Sequence, residues 1–332
     1  MATIGKWTVA AILAACVLAA GAPRLAWAED DPFLDMISPI TDPTNFEDPR
    51  SQSDVRPIYA YHVIPGDFAK GTGLDGGYVN VAALQLRIAI TDRWSIIATK
   101  DGYVWVRPTN DVKTATGGGI VTRNSGFANI AFGAKWNFWR DGDLGGLASL
   151  GLRYEAPSGE PQGLQGPVFM ANALGDRGNG LMNPFVSYGW GKDNFHFLGY
   201  TGFRFPLSDV DSMFFDWSLH ADYRTPEISF AGYGIGHVYP TIELNWKNVM
   251  KGGDRVPLDQ EGFDFFNLGS SAAGGENIVT MGFGGRWRFT DDLEVFGHRS
   301  GIDWGIAYEL PVTSAQGLFD WRVTTDLIFW IS

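Results

Sequence analysis

The chain has 332 residues, a formal net charge of −12 and a mean hydropathy of −0.06. It is rich in glycine and aromatic residues (43 Gly, 23 Phe, 13 Trp and 11 Tyr) and has one cysteine, Cys16. The acidic balance argues against nucleic-acid binding. After residue 28 there is no apolar run of about 18 residues, which excludes a helical membrane protein.

The first 28 residues predict a secretory signal peptide. Lys6 precedes an apolar run from Trp7 to about Ala20, and Ala26-Trp27-Ala28 is a small-x-small cleavage site. Leu13-Ala14-Ala15-Cys16 is a competing lipoprotein site, at which Cys16 would carry a lipid anchor. We favour cleavage after Ala28 because the apolar run continues past the cysteine. The mature chain would then contain no cysteine, and so no disulfide or Cys-ligated metal.

Residues 29–54 are predicted to form an acidic, proline-rich periplasmic extension that is ordered only where it docks. The segment carries eight Asp or Glu and shows little periodicity.

Residues 55–332 are predicted to form a β-barrel. The clearest strand is Phe214–Arg224, in which five polar residues alternate with apolar ones; this period of two predicts one polar and one apolar face. Similar segments recur about twelve times, near 55–64, 78–90, 93–106, 126–139, 146–156, 181–191, 194–206, 212–224, 235–247, 277–289, 300–311 and 319–331. Each is close to or above the ~9–11 residues that a tilted membrane strand needs.

The connections alternate in length. Short polar joints follow the even-numbered segments, at 91–93, 140–143, 192–194, 225–226 and 290–292. Long stretches such as 107–125, 157–180 and 248–276 follow odd-numbered ones. Short periplasmic turns opposite long external loops are typical of outer-membrane barrels. We therefore expect an all-β fold, a transmembrane antiparallel up-and-down β-barrel of about 12 strands in a bacterial outer membrane.

The same alternation assigns the two faces. A charge facing lipid at mid-depth costs about 2–4 kcal/mol, so charged residues of the strands must face a polar interior. The predicted lumen-lining residues are Arg153, Arg204, Asp216, Asp222, Arg224, Glu243, Arg286, Arg288, Arg322 and Asp326. The other inward charges are Arg87, Asp101, Lys135, Glu155, Asp303 and Glu309. Trp94 and Trp304, near strand ends, fit interfacial aromatic girdles.

Three stretches resemble a known family. The segment 126–138, GFANIAFGAKWNF, resembles the strand pattern G-x-x-D-x-x-x-G-x-K-[YW]-x-F of outer-membrane proteins grouped as a phenol-degradation meta-pathway family of transporters, with Asn129 at the acidic position. Residues 289–293 resemble the turn of that family, and residues 307–312 and 319–327 resemble its two closing strands. The resemblance implies an outer-membrane channel or uptake protein, without implying phenol as its cargo.

Few motifs carry chemistry. Residues 71–76 match the G-x-G-x-x-G pattern of dinucleotide-binding sites, but a strand rather than a helix follows them. The five histidines, His62, His196, His220, His237 and His298, lack metal-ligand spacing. Ser218 and His220 lie two apart on one strand face, roughly 6.5–7 Å from each other, too far to activate the serine. The sequence therefore predicts no catalytic, cofactor-binding or metal site.

The leading functional hypothesis is a channel or transporter that passes small solutes, aromatic or hydrophobic ones among them, through a narrow charged lumen. The alternative is a non-conducting outer-membrane barrel that acts as a lipid-modifying enzyme or as an adhesin through its surface loops. A soluble β-sandwich is a third reading. The expected partners are membrane lipids, lipopolysaccharide, the outer-membrane assembly machinery and a small-molecule solute.

Overall fold

The computed structural model describes residues 33–66, 76–108, 112–113, 120–121, 124–158, 178–230, 233–255, 258–262, 267–295, 298–313 and 319–331. The predicted signal peptide with Cys16, and most of the motif at 71–76, lie outside these residues. Across the described ranges, no helix is long and apolar enough to cross a membrane.

Eighteen strands make up the regular structure of the described residues. They are β1 (Ser53–Ile64), β2 (Gly77–Ala89), β3 (Trp94–Lys100), β4 (Gly102–Pro108), β5 (Val112–Lys113), β6 (Ile120–Val121), β7 (Asn124–Phe127), β8 (Ile130–Asp141), β9 (Gly146–Ala156), β10 (Leu181–Lys192), β11 (Phe195–Pro206), β12 (Met213–Tyr223), β13 (Ser229–Phe230), β14 (Tyr233–Gly234), β15 (His237–Lys251), β16 (Asn277–Val295), β17 (His298–Pro311) and β18 (Trp321–Ile331).

The long strands close into an antiparallel barrel. β3 and β4 form one barrel strand interrupted at Asp101, and β7 and β8 form the next, interrupted at 128–129. Neighbours pair in chain order, and β1 pairs with both β2 and β18, which closes the sheet. The two-residue pairs β5–β6 and β13–β14 lie outside it. The predicted all-β barrel of 12 antiparallel strands is confirmed.

Burial alternates along the barrel strands as the sequence pattern requires. In β12 every second residue, from Phe214 to Asp222, is buried. On the opposite face large apolar residues remain exposed, including Trp136, Leu150, Phe197 and Phe283. An apolar outer face around a charged interior is the pattern expected when hydrocarbon surrounds a barrel.

Two predicted joints differ from the structure. Between Tyr223 and His237 the chain is longer than the predicted joint at 225–226, because residues 224–236 include the pair β13–β14. The predicted joint at 290–292 is wrong, since β16 runs on to Val295. Register shifts after Arg288 and after Thr290 mark bulges that absorb these polar residues without ending the strand. Residues 289–293, which resemble a family turn, are therefore part of a strand.

The N-terminal segment also differs from expectation. Residues 33–52, which we call the plug, lie inside the barrel, whereas the sequence predicted a periplasmic extension ordered only where it docks. All but two of its residues are buried, and their partners are inward-facing side chains of β1, β2, β8, β9, β15 and β16. Ser53 and Asp54 already belong to β1. The sequence did not predict that this segment is buried, because proline and carboxylates are more typical of exposed segments.

The outer face supplies a direct test of its contact with lipid. Leu150, in the middle of β9, is 49% exposed, and Leu144, in the β8–β9 turn, is 64% exposed. We expect Leu150→Arg to lower the free energy of unfolding in lipid vesicles by about 2–4 kcal/mol and the matched Leu144→Arg by about 0–1 kcal/mol. Urea unfolding of both variants measures the difference. Equal losses would place the face of Leu150 in water.

Candidate functional site

Ion pairs between barrel strands line the interior. Their N···O distances are 2.7 Å for Arg204–Asp216, 2.7 Å for Arg286–Asp326, 3.0 Å for Arg288–Asp303 and 2.5 Å for Arg322–Glu309. Arg286 and Asp326 meet across β17, because Gly305 lies between them and a Cβ there would come within 2.7 Å of Asp326 Oδ1. Removing one partner of such a pair leaves an uncompensated buried charge, at a cost of about 3–5 kcal/mol.

A second group of polar residues forms a row across β11, β12 and β15. His196 Nδ1 lies 2.7 Å from Asp222 Oδ1, and His220 Nε2 lies 3.0 Å from Asp222 Oδ2. His220 Nδ1 in turn lies 2.8 Å from Glu243 Oε1. Register explains the row, because His196 is directly opposite Asp222 and His220 directly opposite Glu243. Both ring nitrogens of His220 face carboxylate oxygens, so both contacts form as hydrogen bonds only when both nitrogens carry hydrogen.

The plug enters and leaves the barrel at the end that carries the short turns. Phe33 packs beneath the guanidinium of Arg140, beside the β8–β9 turn, and Ser51 donates to the carbonyl of Thr91 in the β2–β3 turn. Between them, residues 41–45 form a tight turn in which Asp42 has a φ of 50° and its carbonyl accepts bonds from the Asn45 and Phe46 amides. This turn is the tip of the plug, deep in the lumen.

Glu243 holds one side of the tip. Its Oε1 accepts the Ile40 amide at 2.7 Å, and its Oε2 accepts the Thr41 amide at 2.6 Å together with the Thr41 hydroxyl. Gly282, on the neighbouring strand, leaves room for this approach, since a Cβ there would lie 2.6 Å from the Thr41 methyl carbon. Lys247 adds an ion pair to Asp42 at 2.6 Å.

Arg153 holds the other side. Its guanidinium donates to the backbone carbonyls of Thr44 at 2.8 Å and Asn45 at 2.7 Å, and to the side chains of Asn183 and Tyr200. Two residues of the plug therefore supply acceptors for a cation that lies 3% exposed inside the barrel. A buried charge requires such partners to offset its lost hydration.

The returning half of the plug is held by charge. Glu47 pairs with Arg87 and with Lys135, each at 2.8 Å. Burial alone would raise the pKa of Glu47, but the two cations lower it to about 2. The carboxylate thus stays ionised over the ordinary range of pH, and its contacts with the barrel persist there.

Several arginines of the barrel also bind plug backbone. Arg56 donates to Pro39 O at 2.6 Å, Arg286 to Ser38 O at 3.2 Å and Arg288 to Leu34 O at 2.6 Å. Apolar contacts add to these bonds: Phe33, Met36 and Phe46 cluster with wall residues that include Phe185 and Tyr200. The plug is therefore docked along its length.

Loops close over part of the opposite end. Glu261, fully buried in the β15–β16 connection, accepts the Ser212 hydroxyl of the β11–β12 connection at 2.7 Å and the Ser270 amide at 3.1 Å. Arg255 and Asp211 form a second link between these connections at 2.6 Å. Phe214, Val249, Ala273, Ile278 and Phe319 form a buried apolar cluster at this end. We call the described loop residues 207–212, 252–255, 258–262 and 267–276 the lid.

Nine of the ten residues predicted to line the lumen are buried inside the barrel, and Arg224 is half-buried in an ion pair with Asp35 of the plug. The structure brings the others together in the ion pairs and the histidine row described above, whereas Arg153 binds plug carbonyls. Sequence reasoning missed Arg56, which binds Asp326, and it missed Glu47. The alternation in β1 was a signal for Arg56, whereas no periodicity marked Glu47.

The residues considered for catalysis are not arranged for it. Ser218 Oγ makes no hydrogen bond within the described chain, and the ring nitrogens of His220 are directed at Asp222 and Glu243. Among the described residues, no three His, Cys, Asp or Glu side chains form a group able to hold a metal ion.

The geometry defines a class. A closed antiparallel sheet with an apolar outer face, ion pairs inside, mostly short turns at one end and longer loops at the other is a transmembrane β-barrel of the bacterial outer-membrane type.

Comparisons with known proteins give little beyond the fold. No protein-family model matches the chain, including any for the phenol-degradation family, and no curated protein matches it. Solved structures that align include a bacterial polysaccharide outer membrane secretin (9% identity, 85% of this chain and 99% of that one, TM-score 0.35). Others are the outer membrane channel DcaP of Acinetobacter baumannii (9%, 84% and 96%, TM-score 0.28) and a Pseudomonas aeruginosa FadL homologue (11%, 94% and 94%, TM-score 0.31). Similarity this low establishes no function.

The lid should respond to pH through Glu276. Burial raises the pKa of Glu276 to about 8; its bond from the Glu261 amide lowers the pKa, and the charges of Glu261 and Asp259 raise it further. Because the pKa in the folded lid exceeds the ordinary value of 4.5, the contribution of Glu276 to stability is complete below pH 4.5 and is lost as the pH rises through 8.

We expect protease cleavage within residues 252–276 to increase between pH 5 and pH 9 in the wild type. Glu276→Gln keeps an acceptor for the Glu261 amide and cannot ionise, so its cleavage should not show this increase beyond the pH profile of the protease itself. Parallel digestions of both proteins at each pH measure the effect. Identical profiles would refute the role of Glu276.

Proposed function

We propose that the protein is a gated channel of the bacterial outer membrane, held closed by the plug. The observation that carries this proposal is the position of residues 33–52 in the lumen, anchored by polar contacts that water could replace. The plug continues into the barrel wall only at Ser53, at the same end where it enters, so it can withdraw without crossing the barrel.

The solutes are small, because a 12-stranded barrel lies between eight-stranded barrels filled by their own side chains and wide porins of about 16 strands. Paired charges of both signs in the lumen favour a narrow polar path once the plug has moved. We further propose that the barrel contacts lipopolysaccharide and is inserted by the outer-membrane assembly machinery. We also propose that it has no enzymatic activity, since Ser218 lacks a base that could activate it.

A reversible lock tests the role of the plug. A Cβ at position 282 would lie 3.5 Å from Thr41 Cβ, within the range of about 3.5–4.5 Å for a disulfide. We expect oxidised Thr41→Cys/Gly282→Cys protein to be silent in planar bilayers and to regain wild-type openings on reduction. Each single-cysteine variant is the control. Equal conductance of the oxidised and reduced forms would refute gating by the plug.

A second variant should open the channel. Glu243→Gln places an amide N–H₂ against donors of the plug and removes charge-assisted hydrogen bonds, so we expect the open probability to rise at least about tenfold. Glu309→Gln is the matched control, since Glu309 is 1% exposed and ion-paired with Arg322 but makes no described contact with the plug. An equal response of the two variants would indicate general destabilisation, and silence of every form would favour the non-conducting alternative.

A further inference from the structure

The inner face of the barrel changes character along β1, β2 and β4. Toward the turns it is charged, with Arg56 and Arg87. Toward the loop end most of its inward residues are apolar and at most 5% exposed, namely Ile58, Ala60, Ile64, Val79, Val81, Val104 and Val106; His62 of β1, 1% exposed, also faces inward there. A water-filled polar pore gives no reason for aliphatic side chains on its inner wall, whereas an apolar occupant does.

A cleft lies where this apolar wall meets the plug. Its lining includes Ile58, Val81 and Val104 of the wall and Pro43 and Thr44 of the plug tip, and two charged residues, Lys100 and Asp101, also contribute to it. Its empty space is about 410 Å³ when the open mouth is included, but the space that the centre of a water-sized sphere can occupy is about 20 Å³. That inner space has room for one group the size of a water molecule or a hydroxyl.

Two polar atoms of the lining lack hydrogen-bond partners in the described structure, Gln85 Oε1 and Thr44 Oγ1. Gln85 is 1% exposed, and its amide nitrogen donates to the carbonyls of Pro43 and Thr99. These bonds fix the orientation of the amide, so its oxygen is left as an acceptor. A buried acceptor without a donor is costly, and a ligand that brings a donor removes that cost.

We propose that this cleft binds a small aliphatic alcohol, or another apolar molecule with a single hydrogen-bond donor. The hydroxyl occupies the inner space for one water-sized group and donates to Gln85 Oε1, with Thr44 Oγ1 beside it, and the apolar body lies in the open mouth against Ile58, Val81 and Val104. The proposal rests on the proposed function, because it makes this molecule a solute of the channel and places it against the tip of the plug.

The test uses the full mature chain in phospholipid nanodiscs, with ¹³C-labelled Ile and Val methyl groups observed by NMR. We expect cyclohexanol to shift the methyl signals of Ile58, Val81 and Val104 saturably, and methylcyclohexane to bind about three- to tenfold more weakly, the equivalent of one neutral hydrogen bond. Ile96 and Ile242, 52% and 46% exposed on the outer face, report partition into lipid. Shifts confined to these two residues would overturn the proposal and would mean that the cleft holds only water.

Thr44→Val removes the unpartnered hydroxyl and leaves the carbonyl that Arg153 binds. We expect it to weaken cyclohexanol binding about threefold without affecting methylcyclohexane. Thr324→Val is the matched control, since Thr324 Oγ1 is also buried without a partner in the described chain but lies outside the cleft. Ala83→Leu, which fills the cleft, should abolish binding of both probes. Unchanged binding in Thr44→Val and Ala83→Leu would refute the site.

Binding and conductance separate the two proposals. Saturable binding in a protein that never conducts would refute the channel and retain the site. Conductance that follows the Thr41–Gly282 lock, without saturable binding of either probe, would refute the site and retain the channel.

Discussion

The structure depends on one constraint: charges taken into a narrow barrel lose their water and must find partners inside. Desolvation of each ion costs several kcal/mol, and only close contacts with good geometry repay it. The lumen meets this requirement strand by strand, with each arginine of β11, β16 and β18 facing a carboxylate on a nearby strand. Gly305 shows how register and side-chain size serve the same end, because only a residue without a side chain lets Arg286 reach Asp326 across β17.

The barrel strands alone do not satisfy every charge, and the plug supplies what is missing. Arg153 donates to two plug carbonyls, and Lys135 donates to the Glu47 carboxylate and to the Asp48 carbonyl. Plug and wall are therefore electrostatically interdependent, and withdrawal of the plug requires that water enter and hydrate the same groups. For the gated channel that we propose, this requirement favours a closed resting state and a polar path in the open one.

The fold was predictable because its cause is local. Alternation along Phe214–Arg224 follows from the two media on either side of the sheet, and it fixed the inward position of Asp216 and Asp222 from sequence alone. The site was less predictable because its cause is long-range. Glu243 binds Ile40 and Thr41, which are some 200 residues away in the sequence, and no pattern in residues 33–52 indicates a docked segment. The turn predicted at 290–292 was wrong because polar residues there lie at β-bulges. A bulge places extra residues in one strand of a pair, so the strand continues past them.

Two parts of the interior differ in character. The plug binds the charged part by hydrogen bonds and ion pairs, whereas the cluster around Phe214 and Phe319 at the loop end is apolar and buried. In the channel that we propose, a solute entering from the loop end meets an apolar surface before a charged one, and the plug tip lies at the boundary between them. Because a ligand shifts an equilibrium only through its differential affinity for the two states, this boundary is where, on that proposal, a solute changes the position of the plug. Selectivity and gating would then reside in the same few residues, Gln85 and Thr44 among them.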